Sequence, residues 1–206
     1  MCVIALAVAF FLFVLIAADV MNGGMLASLD TRTNLWLYTH RTAGRTTFFR
    51  WVSTLHSNWI AGIVTLGICV YLWRRRLPHW VLMFVLTIFG GMLLNALLKL
   101  WFVRPRPDVG GVIYVSRSYS FPSGHTLLAT VFYGTLCVFV VSRLRDWKSR
   151  ALAILFSVFM IPLVGFSRMY LGAHYLTDVL AGIMEGISWI AACLLSLEIV
   201  RRRRQA

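Results

Sequence analysis

The chain is 206 residues long, 60% hydrophobic and only 13% charged, yet its formal net charge is +13. Soluble domains average about a quarter charged residues, so this balance excludes an ordinary water-soluble globule and points to lipid as the solvent. The positive excess would suit a nucleic acid, but it is packed into short clusters between apolar stretches, which excludes that partner and suits a membrane protein oriented by its basic loops.

Crossing the hydrocarbon takes roughly 20 mostly apolar residues as a helix, and six stretches qualify: about 1–20, 59–73, 80–102, 124–142, 150–166 and 176–200. The expected fold is therefore all-α, a six-transmembrane-helix bundle in one membrane-embedded domain over 1–206. No Lys or Arg precedes the first run and no clean small-residue cleavage site follows it. It is expected to stay as a membrane helix rather than act as a signal peptide.

Between the first and second spans lies 31–57, too polar to cross and too apolar to ignore. Trp36, Tyr38, Phe48, Phe49 and Trp51 alternate there with Arg41, Arg45 and Arg50, a mixture that favours the headgroup layer. One or two interfacial helices on the outer face are expected, either guiding a lipid or anchoring the bundle. His40 and His56 fall in this segment and are read as non-catalytic. Cys2, Cys69, Cys137 and Cys193 each sit in an apolar stretch without metal-like spacing, and are read as small buried residues.

Orientation follows from Lys and Arg near helix ends, which tend to remain in the cytoplasm. Arg74, Arg75 and Arg76, then Arg143, Arg145, Lys148 and Arg150, then Arg201 to Arg204 make up eleven of the chain's 20 basic residues, all in very short connections. Both termini are therefore expected inside and the longer loops outside.

Three polar clusters then fall on that outer side. The third span ends in Lys99 and runs on to Arg106-Pro107. The fourth opens with Phe121-Pro122-Ser123-Gly124-His125-Thr126. The fifth ends in Ser167-Arg168 and leads through His174 to Asp178 in the sixth. Each has an ordinary reading alone, since Arg-Pro pairs are common in loops, Pro-Ser-Gly often starts a helix, and a histidine at a membrane end often caps one. Their convergence is what carries chemistry. Lys99, Arg106 and Arg168 are like charges that an anion would reconcile, and guanidinium groups match phosphate oxygens bidentately. Pro122 to His125 opens a helix whose free N–H groups form a second anion site. His174 and Asp178, four apart, put an imidazole beside a carboxylate that can orient it for attack. His125 is available as general acid. Of seven acidic residues at most Asp178 and Asp108 lie near, so a carboxylate-held metal is not expected and no cofactor is called for.

Lys99–x6–Arg106-Pro107, Pro122-Ser123-Gly124-His125 and Ser167-Arg168–x5–His174–x3–Asp178 resemble the three signatures of the type-2 phosphatidic acid phosphatase superfamily, in order and spacing. That superfamily also includes vanadium haloperoxidases and bacterial undecaprenyl-diphosphate phosphatases. The resemblance implies a phosphohistidine intermediate on His174, acid catalysis by His125, orientation of His174 by Asp178, and phosphate held by Lys99, Arg106, Ser123, Gly124 and Arg168. It also implies a lipid phosphate or diphosphate as substrate, with undecaprenyl diphosphate favoured, and a bacterial inner-membrane setting with the site on the periplasmic face. A lipid phosphotransferase shares the same first step. A non-enzymatic lipid-binding or transport protein would be expected to show inverted repeats or interrupted helices, and neither is visible.

Within the sixth span, Glu185 lies two turns beyond Asp178 and is read as a hydrogen-bonded packing residue in preference to one that tunes the site. Asn95, one turn before Lys99, is placed to support that lysine or to pair across helices. Gly182 and Gly186 are spaced for close helix packing within the monomer.

Overall fold

The computed structural model describes residues 2–108 and 118–203. Among them the secondary structure is helical: α1 Cys2–Asn22, α2 Met25–Thr39, α3 Ala43–Leu55, α4 Asn58–Arg74, α5 Pro78–Val85, α6 Gly91–Phe102, α7 Gly124–Arg143, α8 Trp147–Tyr170 and α9 Leu176–Arg203. Five helical stretches are long and apolar enough to cross a membrane: α1, the continuous α5–α6, α7, α8 and α9. α3 and α4 meet at 45°, and counted together as one broken span they bring the number to six. The fifth span is longer than expected at both ends. Asp146 caps it by accepting from Ser149 N–H at 2.7 Å, and Ser167 and Arg168 remain helical.

The distribution of side chains is that of a bundle solvated by lipid. Phe10, Phe11, Trp59, Leu66, Trp101, Leu152 and Phe159 all point outward, which water would penalise and acyl chains accept. Polar residues lie inside instead: Thr87 donates to the Met83 carbonyl at 2.8 Å and accepts from Thr135 at 3.1 Å. In hydrocarbon each such group needs a protein partner.

α9 is the axis of the molecule. α1 runs along it, burying Ile16 and Ala17 with Phe121 and Ala181. On another side α7 packs so closely that a methyl group on Gly182 would lie 2.7 Å from the Ser123 carbonyl oxygen, and one on Gly186 would lie 2.6 Å from Thr130. The small-residue spacing is used between helices of one chain. α5 and α6 join through a π turn, Leu86–Gly90, and the Trp189 indole N–H donates to the Leu86 carbonyl at 3.0 Å. The wider turn frees carbonyls from the ordinary helical pattern, and a tryptophan from α9 satisfies one.

The interfacial segment forms two helices, beginning before residue 31. α2 buries Asp30, Asn34 and Leu37, spaced at helical intervals on its inner face. The α2–α3 corner is fastened to the end of α8: Arg41 Nε donates to the Tyr170 carbonyl and Thr42 N–H to the Tyr170 hydroxyl, both at 3.0 Å. Phe49 packs on the Tyr170 ring with centroids 4.6 Å apart.

Candidate active site

α8 ends in a reversal that sets the position of His174. Gly172 adopts φ +74°, a left-handed conformation that glycine takes without steric cost. Gly172 N–H donates to the Met169 carbonyl and Ala173 N–H to the Arg168 carbonyl, each at 2.9 Å. This paired closure at a helix C-terminus ends the chain reversal one residue before His174. α9 starts only at Leu176, so His174 stands in the turn and not on the helix shared with Asp178. The two meet because Asp178 folds back over the helix start. Its Oδ2 accepts from Tyr175 N–H at 2.9 Å and contacts His174 Nδ1 at 3.2 Å.

An ionised carboxylate only accepts, so Nδ1 carries the proton and the lone pair is on Nε2. Arg106 Nη1 stands 3.4 Å from Nε2 as a donor, which agrees with that tautomer. Burial first, and then the cations Arg106, Lys99 and Arg168, hold the His174 imidazole well below the ordinary histidine range. The ring is therefore neutral near pH 7, and its contact with Asp178 is a hydrogen bond rather than an ion pair.

The segment Ser118–Ser120, which begins six residues before the α7 start, closes the site against the loop that follows α6. Val103, at φ +49°, turns the chain sharply after α6, a conformation uncommon for a β-branched residue. Beyond it, Arg106 donates from Nη1 to the Ala173 carbonyl at 2.7 Å and from Nε to the Ser118 carbonyl at 2.8 Å. Lys99 Nζ donates to the Tyr119 and Ser120 carbonyls at 2.7 and 3.3 Å. Arg168 is buried and donates to Ser53 Oγ of α3.

These groups enclose a cavity of about 250 Å³ whose wall includes Lys99, Arg106, Arg168, His125, His174 and Gly124. Seven of the eight sequence-selected residues thus come together, six in the wall and Asp178 directly behind His174. Ser123 is set deeper. It is fully buried, its N–H donates to the Asp178 carbonyl at 3.0 Å and its Oγ accepts from Thr126 at 2.9 Å. Among the described residues no three His, Cys, Asp or Glu side chains converge to hold a metal.

Sequence reasoning missed three residues. Asp30, fully buried on α2, accepts from Thr177 N–H at 3.0 Å and from Arg104 Nη2 at 2.8 Å. Arg104 donates from Nη1 to Asp178 Oδ1 at 2.7 Å and lies over the Tyr175 ring, 4.2 Å from its centroid. Ser53 carries the Arg168 guanidinium. The expectation that at most Asp178 and Asp108 stand near the site is corrected accordingly, since Asp30 arrives from the interfacial segment. One signal was available: Asp30 is one of only seven acidic residues in the chain.

Asn95 Nδ2 donates to Glu185 Oε2 at 2.9 Å and to the Pro122 carbonyl at 3.4 Å, and Glu185 Oε1 has no hydrogen-bond partner among the described residues. The pair therefore bridges α6 and α9 beneath the α7 start. His56 is engaged by the Val52 carbonyl at 2.7 Å and the Tyr133 hydroxyl at 2.6 Å. His40 stacks on Trp36 with centroids 4.5 Å apart.

Residues 80–202 match the family described as the PAP2 superfamily. The chain is 37% identical over 127 residues to phosphatidylglycerophosphatase B of Bacillus subtilis, a match covering 61% of each protein. It is 31% identical over 106 residues to the undecaprenyl-diphosphatase BcrC of the same organism, covering 50% of each. The chain thus spans between half and two thirds of the length of these curated relatives. Among solved structures, the transmembrane PAP2-type phosphatidylglycerolphosphate phosphatase of Bacillus subtilis superposes with a TM-score of 0.85 at 27% identity, covering 95% of this chain and 96% of that one.

Proposed function

The chain belongs to the PAP2 superfamily, and from that premise we propose that it is an integral membrane phosphatase releasing phosphate from a lipid phosphate or diphosphate, through a phosphohistidine on His174 and without a metal. The observation that carries this reading is one cavity wall holding three cations and the His174 imidazole, whose Nδ1 faces Asp178 and whose Nε2 faces Arg106. Lys99, Arg106 and Arg168 receive the phosphoryl oxygens, together with the N–H groups at the start of α7, which a helix leaves without internal partners. Gly124 lets the phosphate approach that backbone. Ser123 we assign to the support of the helix start.

His174 Nε2 attacks phosphorus; the P–N bond forms as the bond to the leaving oxygen breaks. His125 gives that oxygen a proton. His125 then takes a proton from the attacking water, the P–N bond breaks, and inorganic phosphate leaves with His174 restored. Asp178 holds Nδ1–H throughout and stabilises the imidazole as it becomes cationic. The cation cluster lowers the barrier by meeting charge on the transferring group.

Undecaprenyl diphosphate is the favoured substrate. Phosphatidylglycerophosphate is the second reading, favoured by the higher identity and the TM-score of 0.85 to proteins named for that activity. A phosphotransferase would share the first half-reaction and pass the phosphoryl group to a second lipid instead of water. We place the site on the outer, periplasmic face of a bacterial inner membrane with both termini inside, on the distribution of basic loops.

The deciding experiment presents purified protein with both lipids, phosphatidate and lipid A phosphates, and measures phosphate release with and without an acceptor lipid. Release from at least one of them, lost in His174→Ala at unchanged helix content, supports the reading. Retained turnover in that variant removes His174 as nucleophile.

A further inference from the structure

Behind the His174–Asp178 pair the hydrogen-bonded chain continues. Asp178 presents Oδ2 to His174 Nδ1 and to Tyr175 N–H, and its second oxygen, Oδ1, to Arg104 Nη1 at 2.7 Å. Arg104 divides its guanidinium between two buried carboxylates, reaching Asp30 with Nη2 at 2.8 Å and Thr177 Oγ1 with Nη1 at 2.7 Å. The Tyr175 ring, 4.2 Å from the Arg104 carbon, closes the remaining face. Asp30 in turn binds both the N–H and the hydroxyl of Thr177, at 3.0 and 2.5 Å, one residue before Asp178. Every charged group in the row is paired, as burial requires, and the row joins α2, the loop after α6 and the start of α9.

We infer that Asp30 and Arg104 are positioning residues for the reaction, a second tier that fixes the Asp178 carboxylate plane and through it the direction of His174 Nε2. The inference rests on the phosphohistidine reading above and extends it to the interfacial segment, whose helix α2 becomes part of the catalytic apparatus. Without Arg104, Asp178 Oδ1 loses its partner and the carboxylate rotates. Without the Asp30 charge, Arg104 turns wholly onto Asp178 and pulls it from the imidazole. Either change leaves Lys99, Arg106 and Arg168 untouched, so substrate still binds while attack is misdirected.

The test uses the full chain in detergent or nanodiscs, normalised to folded protein by size exclusion and helix content. Asp30→Asn and Arg104→Ala are expected to lower kcat by about 10- to 100-fold, since a displacement near 1 Å of a reacting group can cost about 100-fold, with KM within about threefold. The double variant should be no worse than Arg104→Ala by more than about twofold, because residues acting in series are not additive. Arg104→Lys, which keeps the charge and loses the two-pronged geometry, should recover little.

In parallel, 15N spectra of the ring nitrogens, with His174 assigned by His174→Gln, should show one tautomer in the parent and a mixture in both single variants. Parental kcat in the variants, a rise in KM alone, additive losses, or an unchanged His174 tautomer each overturn the inference. If the parent releases no phosphate from any lipid in the panel, the phosphatase reading fails, and the tautomer spectra still decide the relay.

Discussion

A histidine buried among three cations has little tendency to take up a proton, and that is useful in a nucleophile. His174 sits well below the ordinary histidine value of about 6.5. Neutral, attacking imidazole is present above its folded value and is lost as pH falls through it. The acid limb of kcat/KM set by His174 should therefore lie clearly below pH 6.5, and a profile from about pH 4 to 8 checks it. The linked stability has the same sign: the unfolded chain binds this proton first, so stability begins to fall as pH drops through the unfolded value. Glu185 is a different case. Its Oε2 is held by Asn95 while Oε1 is unpartnered among the described residues, so Glu185→Gln keeps an acceptor for Asn95 and removes a carboxylate from hydrocarbon. Its Tm should be equal or higher and its kcat within about threefold of the parent, since a buried neutral amide costs less than a buried carboxylate without a cationic partner. A larger fall in kcat would make Glu185 part of the site. That His174, His125 and Asp178 would come together was legible in the sequence from residue type and order, although His174 meets Asp178 from the turn and not from the shared helix that their spacing suggested. Asp30 and Ser53 were not, because their partners lie 74 and 115 residues away, and no local pattern encodes such a meeting.

At the scale of elements, the helices were readable from apolar runs and the details of their contact were not. Both ends of α4 and the start of α7 fall within a residue or so of the sequence reading, since lipid demands continuous apolar length. The π turn at Leu86–Gly90 left no such trace, because it depends on Trp189 arriving from α9. The contact that matters most for the site is between α7 and α9. The Ser123 carbonyl lies where a Gly182 side chain would be, and Ser123 N–H reaches the Asp178 carbonyl at 3.0 Å. The N-terminus proposed to meet phosphate is thus registered against the helix that carries Asp178. Gly182→Ala forces a methyl group against backbone, which cannot swing aside, and overpacking of this kind costs about 1–3 kcal/mol. The expected result is a lower Tm together with a kcat fall of about tenfold or more, since a shift near 1 Å in a catalytic group is enough for that. A variant that loses stability while keeping its kcat would show that the two helices need not be in register for turnover.

For the whole molecule, the groups of the proposed site are gathered at one end of the bundle and large apolar side chains cover its flanks, so chemistry and orientation become a single question. The proposed phosphate site lies at the ends of α6 and α8 and the starts of α7 and α9, together with α2 and α3. The short basic connections lie at the opposite ends of those helices. On the proposed metal-independent route vanadate, which mimics the phosphoryl group at a nucleophile, should inhibit while EDTA should not; loss of activity on chelation would return a metal to the mechanism. Orientation is tested separately. Thr47 on α3 and Ser149 on α8 are both exposed, at opposite ends of the bundle, while the four native cysteines are at least partly buried. In intact cells a membrane-impermeant maleimide should label Thr47→Cys, and should label Ser149→Cys only after permeabilisation, with the parent chain as the background. The reverse pattern would put the phosphate site on the cytoplasmic side. That result would also mean that eleven basic residues, in two short connections and at the C-terminal end, had failed to hold their side of the membrane, against the tendency that oriented the chain from its sequence.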